Sequence, residues 1–274
     1  MKYLEVDPRE IDNNDYVNRQ PEESDCSRHV DYDAVIHSSS GDVLCVYQVG
    51  ISSPAMNEAK RIFHKDPGGF VDATRSGGLR TQSRIFGYAP RNALRNSPCR
   101  AASTAEDMPD FYAAMERLGL EACEWYSRMS PEAYEKHKKI VDDSEMVDDY
   151  KIRGSVFTSG IANKNNALHY HLDRGNFKSC RQVMAGFRHK STGGLLCVPE
   201  LDISFSISDR SFISFDGQRL VHGVTPIKVR KGGYRFTAVY YSMQQMWKCL
   251  PLKEEIQHYR SSRTDAEKRS PWAT

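Results

Sequence analysis

The chain has 274 residues, 38 Lys and Arg against 36 Asp and Glu for a formal net charge of +2, and 39% hydrophobic residues. That is enough chain for one large domain with a substantial core. No apolar run approaches the ~18 residues a membrane span needs, and no secretion signal opens the sequence, so a cytoplasmic or nuclear location, in a bacterial or virus-infected cell, is expected. The seven Cys (26, 45, 99, 123, 180, 197, 249) are odd in number, scattered and free of any C-x-x-C pair, which excludes a zinc knuckle or a disulfide framework and points to reduced thiols.

Residues 1–33 carry ten acids and four bases and few clustered apolar residues, so residues 1–40 read as an acidic N-terminal arm of weak structure. A short apolar strand is expected over 43–49. Ser53-Pro54 then reads as an N-cap with proline at the first helical position, opening a helix to about Phe63. From Asp72 to Arg100 stand six arginines (75, 80, 84, 91, 95, 100) and one acid, broken by Gly77-Gly78, Gly87, Pro90 and Pro98. This is either a solvated basic loop or a place for phosphate. A helical block follows: Met108, Phe111, Met115, Leu118, Ala122, Trp125 and Met129 alternate three and four apart, one core-facing stripe that a Thr104-x-x-Asp107 capping pattern would open. Ser130-Pro131 restarts a second helix. Residues 104–150 hold thirteen acids and five bases, a face that repels a polyanion. Residues 41–150 therefore read as an extension, helices and a basic loop, packed on a core at 151–250.

In that core there are fourteen Lys and Arg against five acids over 151–247. Short apolar or alternating segments at 153–160, 181–189, 195–198, 202–207, 212–215, 220–224 and 235–242 read as strands, with turns at Gly193-Gly194, Asp209-Arg210, Asp216-Gly217 and Gly232-Gly233. Strands in this number imply an α+β fold whose core is a jelly roll, a double-stranded β-helix with flanking N-terminal helices. Residues 251–274 read as a charged, helix-compatible tail. The chemistry concentrates between His169 and Tyr241. His171-Leu172-Asp173 puts an imidazole and a carboxylate on one face of an extended segment, and His222, 51 residues later, supplies a second imidazole at a strand end. Two His and a carboxylate on one side of an ion, leaving the other side open, are the arrangement of Fe(II) oxygenases. Arg235, 13 residues beyond His222 on an apolar strand, has the fork to grip a carboxylate, which asks for 2-oxoglutarate. His169 lacks a carboxylate two residues on and reads as a supporting neighbour.

His171-x-Asp173-x-x-Asn176, Gly193-Gly194-Leu195 with Pro199-Glu200-Leu201, Phe215-Asp216-Gly217 before Leu220-Val221-His222, and Tyr234-Arg235 leading into Val239-Tyr240-Tyr241 resemble the TET/JBP group of Fe(II)- and 2-oxoglutarate-dependent dioxygenases. The resemblance covers about a hundred residues of the C-terminal half. It implies a cofactor set of Fe(II), 2-oxoglutarate and O2. The implied reaction is hydroxylation of the 5-methyl group of a pyrimidine, 5-methylcytosine or thymine, in DNA, with succinate and CO2 as coproducts. It also implies that Asn176 looks toward the target base. Tyr241 is either a stacking ring, by analogy, or a plain core tyrosine, and Tyr240 faces the other way. Arg84-Ile-Phe-Gly87-Tyr-Ala-Pro90-Arg91 resembles an Arg-x-Phe-Gly stretch of the JBP-like branch, so Arg84 and Arg91 are expected near a nucleotide phosphate. The alternative is a 2-oxoglutarate-dependent hydroxylase of a small molecule or a protein side chain, which would keep the triad and Arg235 but have no use for Asn176 or the basic surface.

Overall fold

A computed structural model describes residues 1–74, 80–91 and 97–262. The first 40 residues, expected to be weakly structured, instead supply β1 (Lys2–Glu5), β2 (Arg28–Val30) and β3 (Ala34–His37). The reason is that these strands carry only one acid, the exposed Glu5, while Val30, Ala34 and Ile36 are buried. Runs of three or four residues are too short to announce this by alternation. β4 (Val43–Gln48) follows, then α1 (Pro54–His64), whose first turn is closed as expected: Ser53 Oγ accepts from the Met56 amide at 3.1 Å, with Pro54 at the start.

The segment expected as a basic loop contains β5 (Val71–Thr74), β6 (Arg80–Ala89) and β7 (Arg100–Ala101). Arg75 and Arg95 lie outside the described residues. The long helix breaks where sequence patterning did not place a break. One turn at Thr104–Asp107 precedes α2 (Pro109–Met129), because Pro109 has no N–H and its ring blocks the preceding turn. Phe111, Met115, Leu118, Ala122 and Trp125 are buried on α2 as their spacing requires, each large side chain contributing roughly 1.5–3 kcal/mol of burial. α3 (Pro131–Asp142) completes the block.

The second half gives β8 (Ser159–Lys164), β9 (Gln182–Gly193), β10 (Leu196–Val198), β11 (Ile203–Phe205), β12 (Ser211–Phe215), β13 (Gly223–Val224) and β14 (Ile227–Tyr241). The first of these starts later than expected, since a turn closed by Ile152 N donating to Phe157 O (2.7 Å) occupies the preceding residues. The expected Gly232-Gly233 turn is a bulge inside β14, where the register with β9 shifts between Val229 and Tyr234. Of the charged tail, α4 (Leu252–Ser262) is described and residues 263–274 are not.

Among the described residues the strands form a ten-stranded sheet, β1-β3-β4-β12-β9-β14-β8-β6-β5 with β7 beside β6, and a four-stranded sheet, β13-β10-β11-β2. Helices cover one face of the large sheet over Phe63, Phe86, Phe111, Phe236 and Tyr240; the small sheet covers the other over Tyr47, Phe205, Ile213 and Phe215. These are the stacked sheets of a double-stranded β-helix, with helices on the outside. One expectation about cysteine is overturned. Cys99 and Cys249, 150 residues apart, form a disulfide with Cα atoms 5.8 Å apart, and the other five Cys are buried and free. Such a pair is set by proximity in the fold, which spacing along the chain does not reveal. No helix among the described residues is long and apolar enough to cross a membrane.

Candidate active site

Strand alternation decides which side chains meet. On β14, Arg235, Thr237, Val239 and Tyr241 line a cavity between the two sheets, whereas Phe236, Ala238 and Tyr240 point into the helix-covered core. The cavity measures about 370 Å³ and is also lined by His171, Asp173, Asn176 and His222. Of the sequence-proposed site residues, then, the structure brings six into one place: the two His, Asp173, Arg235, Asn176 and Tyr241.

The His-x-Asp segment and the His222 segment are joined by a two-residue bridge, with His171 N donating to His222 O at 2.9 Å and His222 N to His171 O at 3.1 Å. This holds the two imidazoles side by side, ring centroids 4.4 Å apart and planes tilted by 51°. Each ring is turned by its own backbone. Nδ1 of His171 meets the His169 carbonyl at 2.8 Å, and Nδ1 of His222 meets the Leu220 carbonyl at 2.9 Å. A carbonyl only accepts, so both Nδ1 atoms carry the proton and both Nε2 atoms offer a lone pair. Those two Nε2 atoms lie 3.6 and 3.4 Å from the two oxygens of Asp173, and the three potential ligand atoms sit within 4.8 Å of one another. Burial alone would push the Asp173 carboxyl up, but the positive charge of His222 and His171 in their protonated, metal-free form and a hydrogen bond from Gln182 hold it below the usual carboxylate range. His169 serves through its carbonyl, which fits its reading as a neighbour.

The donor set therefore fits a divalent iron. A second observation supports the fit: a Cβ placed on Gly217 would fall 2.6 Å from Asp173 Oδ2 and 2.5 Å from the Gln182 amide, so the Asp216-Gly217 turn leaves the carboxylate its room only as glycine. At the far end of the cavity Arg235 is 2% exposed, and its Nε and Nη2 have no hydrogen-bond partner. Burial, reinforced by Arg188 beside it, pulls its guanidinium down to about 9. Arg188 is no substitute, because its donors are taken by the carbonyls of Ser206, Ser191 and Gly193. A buried cation with idle donors is costly unless an anion arrives, and a carboxylate matches its fork. Gly194 (φ +67°) again makes the space, since a Cβ there would press within 2.8 Å of Arg235 Nε.

Asn176 is buried, with Nδ2 3.4 Å from Gln182 Oε1 and its backbone carbonyl accepting from Gln218. Two expected phosphate contacts are placed elsewhere. Arg84 pairs in register with Ala162, on the helix-covered face of the sheet, and its Nη2 would lie 2.6 Å from a Cβ on Gly69. Arg91 is spent on Glu255, with Nε to Oε1 at 2.6 Å and Nη2 to Oε2 at 2.5 Å. Neither faces the cavity. Sequence reasoning missed Gln182, which links Asp173 to Asn176, and the part played by Glu200, whose Oε1 accepts from the Val221 amide at 2.8 Å and so fixes the backbone before His222. The signal for Glu200 was a buried acid in an apolar stretch, Leu195 to Phe205.

Fold, cavity and donor set define an Fe(II)- and 2-oxoglutarate-dependent dioxygenase, an enzyme that consumes O2. Residues 85–244, more than half of the chain, match the family model described as Tet_JBP, the oxygenase domain of the 2OGFeDO superfamily, and the chain belongs to that family. No curated protein matches it in sequence. Among solved structures, that of NgTET1 in complex with 5mC DNA is similar, with a TM-score of 0.62 and 12% identity over 85% of this chain and 86% of that one. A 2OG-Fe(II) oxygenase family oxidoreductase from Burkholderia pseudomallei gives a TM-score of 0.46 at 12% identity, covering 73% of this chain and 85% of that one. OsALKBH1 gives 0.41 at 13%, covering 72% and 97%.

Proposed function

We propose that the protein hydroxylates the 5-methyl group of a pyrimidine, 5-methylcytosine or thymine, in DNA. In this reading His171, Asp173 and His222 hold the iron, and Arg235 binds the far carboxylate of 2-oxoglutarate. Bound iron, with 2-oxoglutarate and O2, supplies the oxidising power: one oxygen atom goes to the methyl group, giving hydroxymethyl, and the other to succinate as CO2 leaves. The chain's own residues do the rest. The carbonyls of His169 and Leu220 keep both imidazoles in the ligating tautomer. Apolar walls from Ile161, Met184, Leu196, Phe215 and Val224 exclude water. Asn176, steadied by Gln182, offers its amide to the hydrogen-bonding edge of a base, and Tyr241 offers a ring to its face.

The observation that carries the nucleobase reading is the placement of Asn176. A buried amide stands on the wall of the same cavity as the triad, next to the exposed, cavity-lining Arg174 and Gly175 of the ligand loop. A small-molecule hydroxylase needs no cation there. A base from a duplex must flip out to enter, at roughly a few kcal/mol that phosphate and stacking contacts offset. The test is to incubate the protein with Fe(II), 2-oxoglutarate and duplex oligonucleotides containing thymine or 5-methylcytosine, digest to nucleosides and weigh the products. A mass gain of one oxygen on a pyrimidine is expected, reduced in Asn176→Ala at unchanged iron content. Absence of any modified nucleoside, with no DNA binding at low salt, would turn the reading toward the small-molecule or protein hydroxylase.

A further inference from the structure

Beyond the cavity, the segment after β14 carries an exposed aromatic ring that packing does not explain. Residues Gln244–Lys248 form a short 3-10 turn in which Met246 is fully buried beside Val141 and Tyr150, while Trp247 is 42% exposed. The turn is held in place on both sides. Phe177 N donates to Ser242 O at 3.0 Å, Gln244 N donates to Gly175 O at 3.0 Å, and Met243 bridges Asn176. Beyond it Cys249 is bound to Cys99. The start of the turn, Met243 and Gln244, is therefore tied to Gly175 and Asn176 of the loop that lines the cavity, and Trp247 follows three residues on.

Where Met246 is buried the turn adjoins the acid-rich stretch 142–149, and cations stand on the other segments to which it is joined. Arg174 and Lys178 are exposed on the loop to which the turn is tied, Lys248 Nζ lies 5.7 Å from the Trp247 ring centroid, and exposed Arg100 follows the cysteine bonded to Cys249. The ring's neighbours in the turn are Lys248 and the exposed amides of Gln244 and Gln245, and exposed Leu252 and Ile256 follow on α4. A flat ring with cations on the segments joined to it, three residues past the tie to the cavity loop, matches a nucleic-acid strand, which presents base faces and phosphates together.

We propose that Trp247 stacks on a nucleobase next to the one drawn into the cavity, with Arg174, Lys178 and Lys248 on the adjoining phosphates. This rests on the nucleic-acid reading above and names the element that grips the strand. The test uses the full chain and a fluorescein-labelled 12-mer duplex containing one 5-methylcytosine, followed by anisotropy over a range of salt. Trp247→Ala should weaken binding roughly tenfold to a hundredfold, as loss of a base–aromatic stack does, and leave the salt slope alone. Trp247→Phe should recover most of that loss. Arg174→Gln and Lys248→Gln should each lower the log-log salt slope by about one unit.

Wild-type affinity in Trp247→Ala would overturn the proposal, as would weakened binding that Phe does not rescue. If Trp247→Ala fails to fold, oligonucleotide quenching of tryptophan fluorescence that disappears in Trp247→Phe supports the stack, and quenching unchanged in that variant sinks it. The two readings fail differently. Modified nucleosides from wild type with no role for Trp247 leave the enzymatic reading intact, whereas a wild type that neither binds nor modifies DNA removes both.

Discussion

The two faces of β14 show how one strand serves opposite ends. Toward the helices, Phe236, Ala238 and Tyr240 are closed in by Phe63, Phe86 and Phe111, and the one polar atom there is satisfied, Tyr240 Oη donating to Met115 O at 2.8 Å. Toward the small sheet, Arg235, Thr237 and Tyr241 border open volume, and the Arg235 Nε and Nη2 donors go unmet. The difference teaches where to look for function. On this strand the residues packed under the helices have their polar atom satisfied, whereas the residues bordering the cavity include a buried guanidinium with donors still unmet.

The largest effect on the open face should come from losing a proposed ligand. His222→Ala should cut both iron stoichiometry and turnover by more than about a hundredfold, beyond the 10–100-fold typical when only a residue supporting a ligand is lost. Iron analysis by mass spectrometry and succinate release measure the two. Full iron with full turnover would move the metal elsewhere. Arg235→Lys comes next. It keeps a charge but loses the two-point fork, so the 2-oxoglutarate requirement should rise by roughly ten- to a hundredfold with iron content unchanged. Unchanged affinity for 2-oxoglutarate would detach Arg235 from the cosubstrate.

Much of this open face was legible in the sequence, and the reason is periodicity. His171-x-Asp173 and Arg235-x-Thr237-x-Val239-x-Tyr241 keep the period of two that puts side chains on one face of an extended chain, and polar residues in apolar strands stand out. What was not legible depends on partners far along the chain. β1 and β2 acquire meaning only beside β3 and β11. Cys99 meets Cys249, Arg91 meets Glu255, and Gln182 meets Asp173 only once the sheets are assembled. The face of Arg84 was hidden for a sharper reason: a strand's register parity decides its face, and a shift of one residue inverts it.

The closed side can be tested through Glu255, which is fully buried and accepts from Arg91 and from the amides of Cys99 (2.9 Å) and Leu250 (3.1 Å). Burial pushes its carboxyl up, but those donors bring it below the ordinary 4.5. A depressed acid stabilises the fold above its unfolded value and loses that contribution as pH falls through the folded one. Wild-type stability should therefore drop more steeply below about pH 4.5 than that of Glu255→Gln, as read by urea unfolding. At neutral pH Arg91→Ala should cost about 1–3 kcal/mol, less than for a fully enclosed pair because Arg91 is 36% exposed. No change in either measurement would mean that α4 is not held to the sheet through this pair.

The smallest expected effect is the one that sharpens the comparison most. Arg84 belongs to the arginine-rich stretch that the chain's charge pattern offers to a polyanion, yet it shares its sheet face with Ala162 and lies against Gly69 and Met108, with the whole sheet between it and the cavity. Arg174, a single residue past Asp173, is exposed at the mouth. Counterion release counts only charges that reach phosphate, so on the proposed nucleic-acid reading Arg84→Gln should leave DNA affinity within about twofold of wild type and the log-log salt slope unchanged, while Arg174→Gln lowers it by about one. Binding isotherms at four or five salt concentrations separate the two. A slope that falls by a full unit in Arg84→Gln would place phosphate on the helix-covered side and reverse the assignment of the two faces.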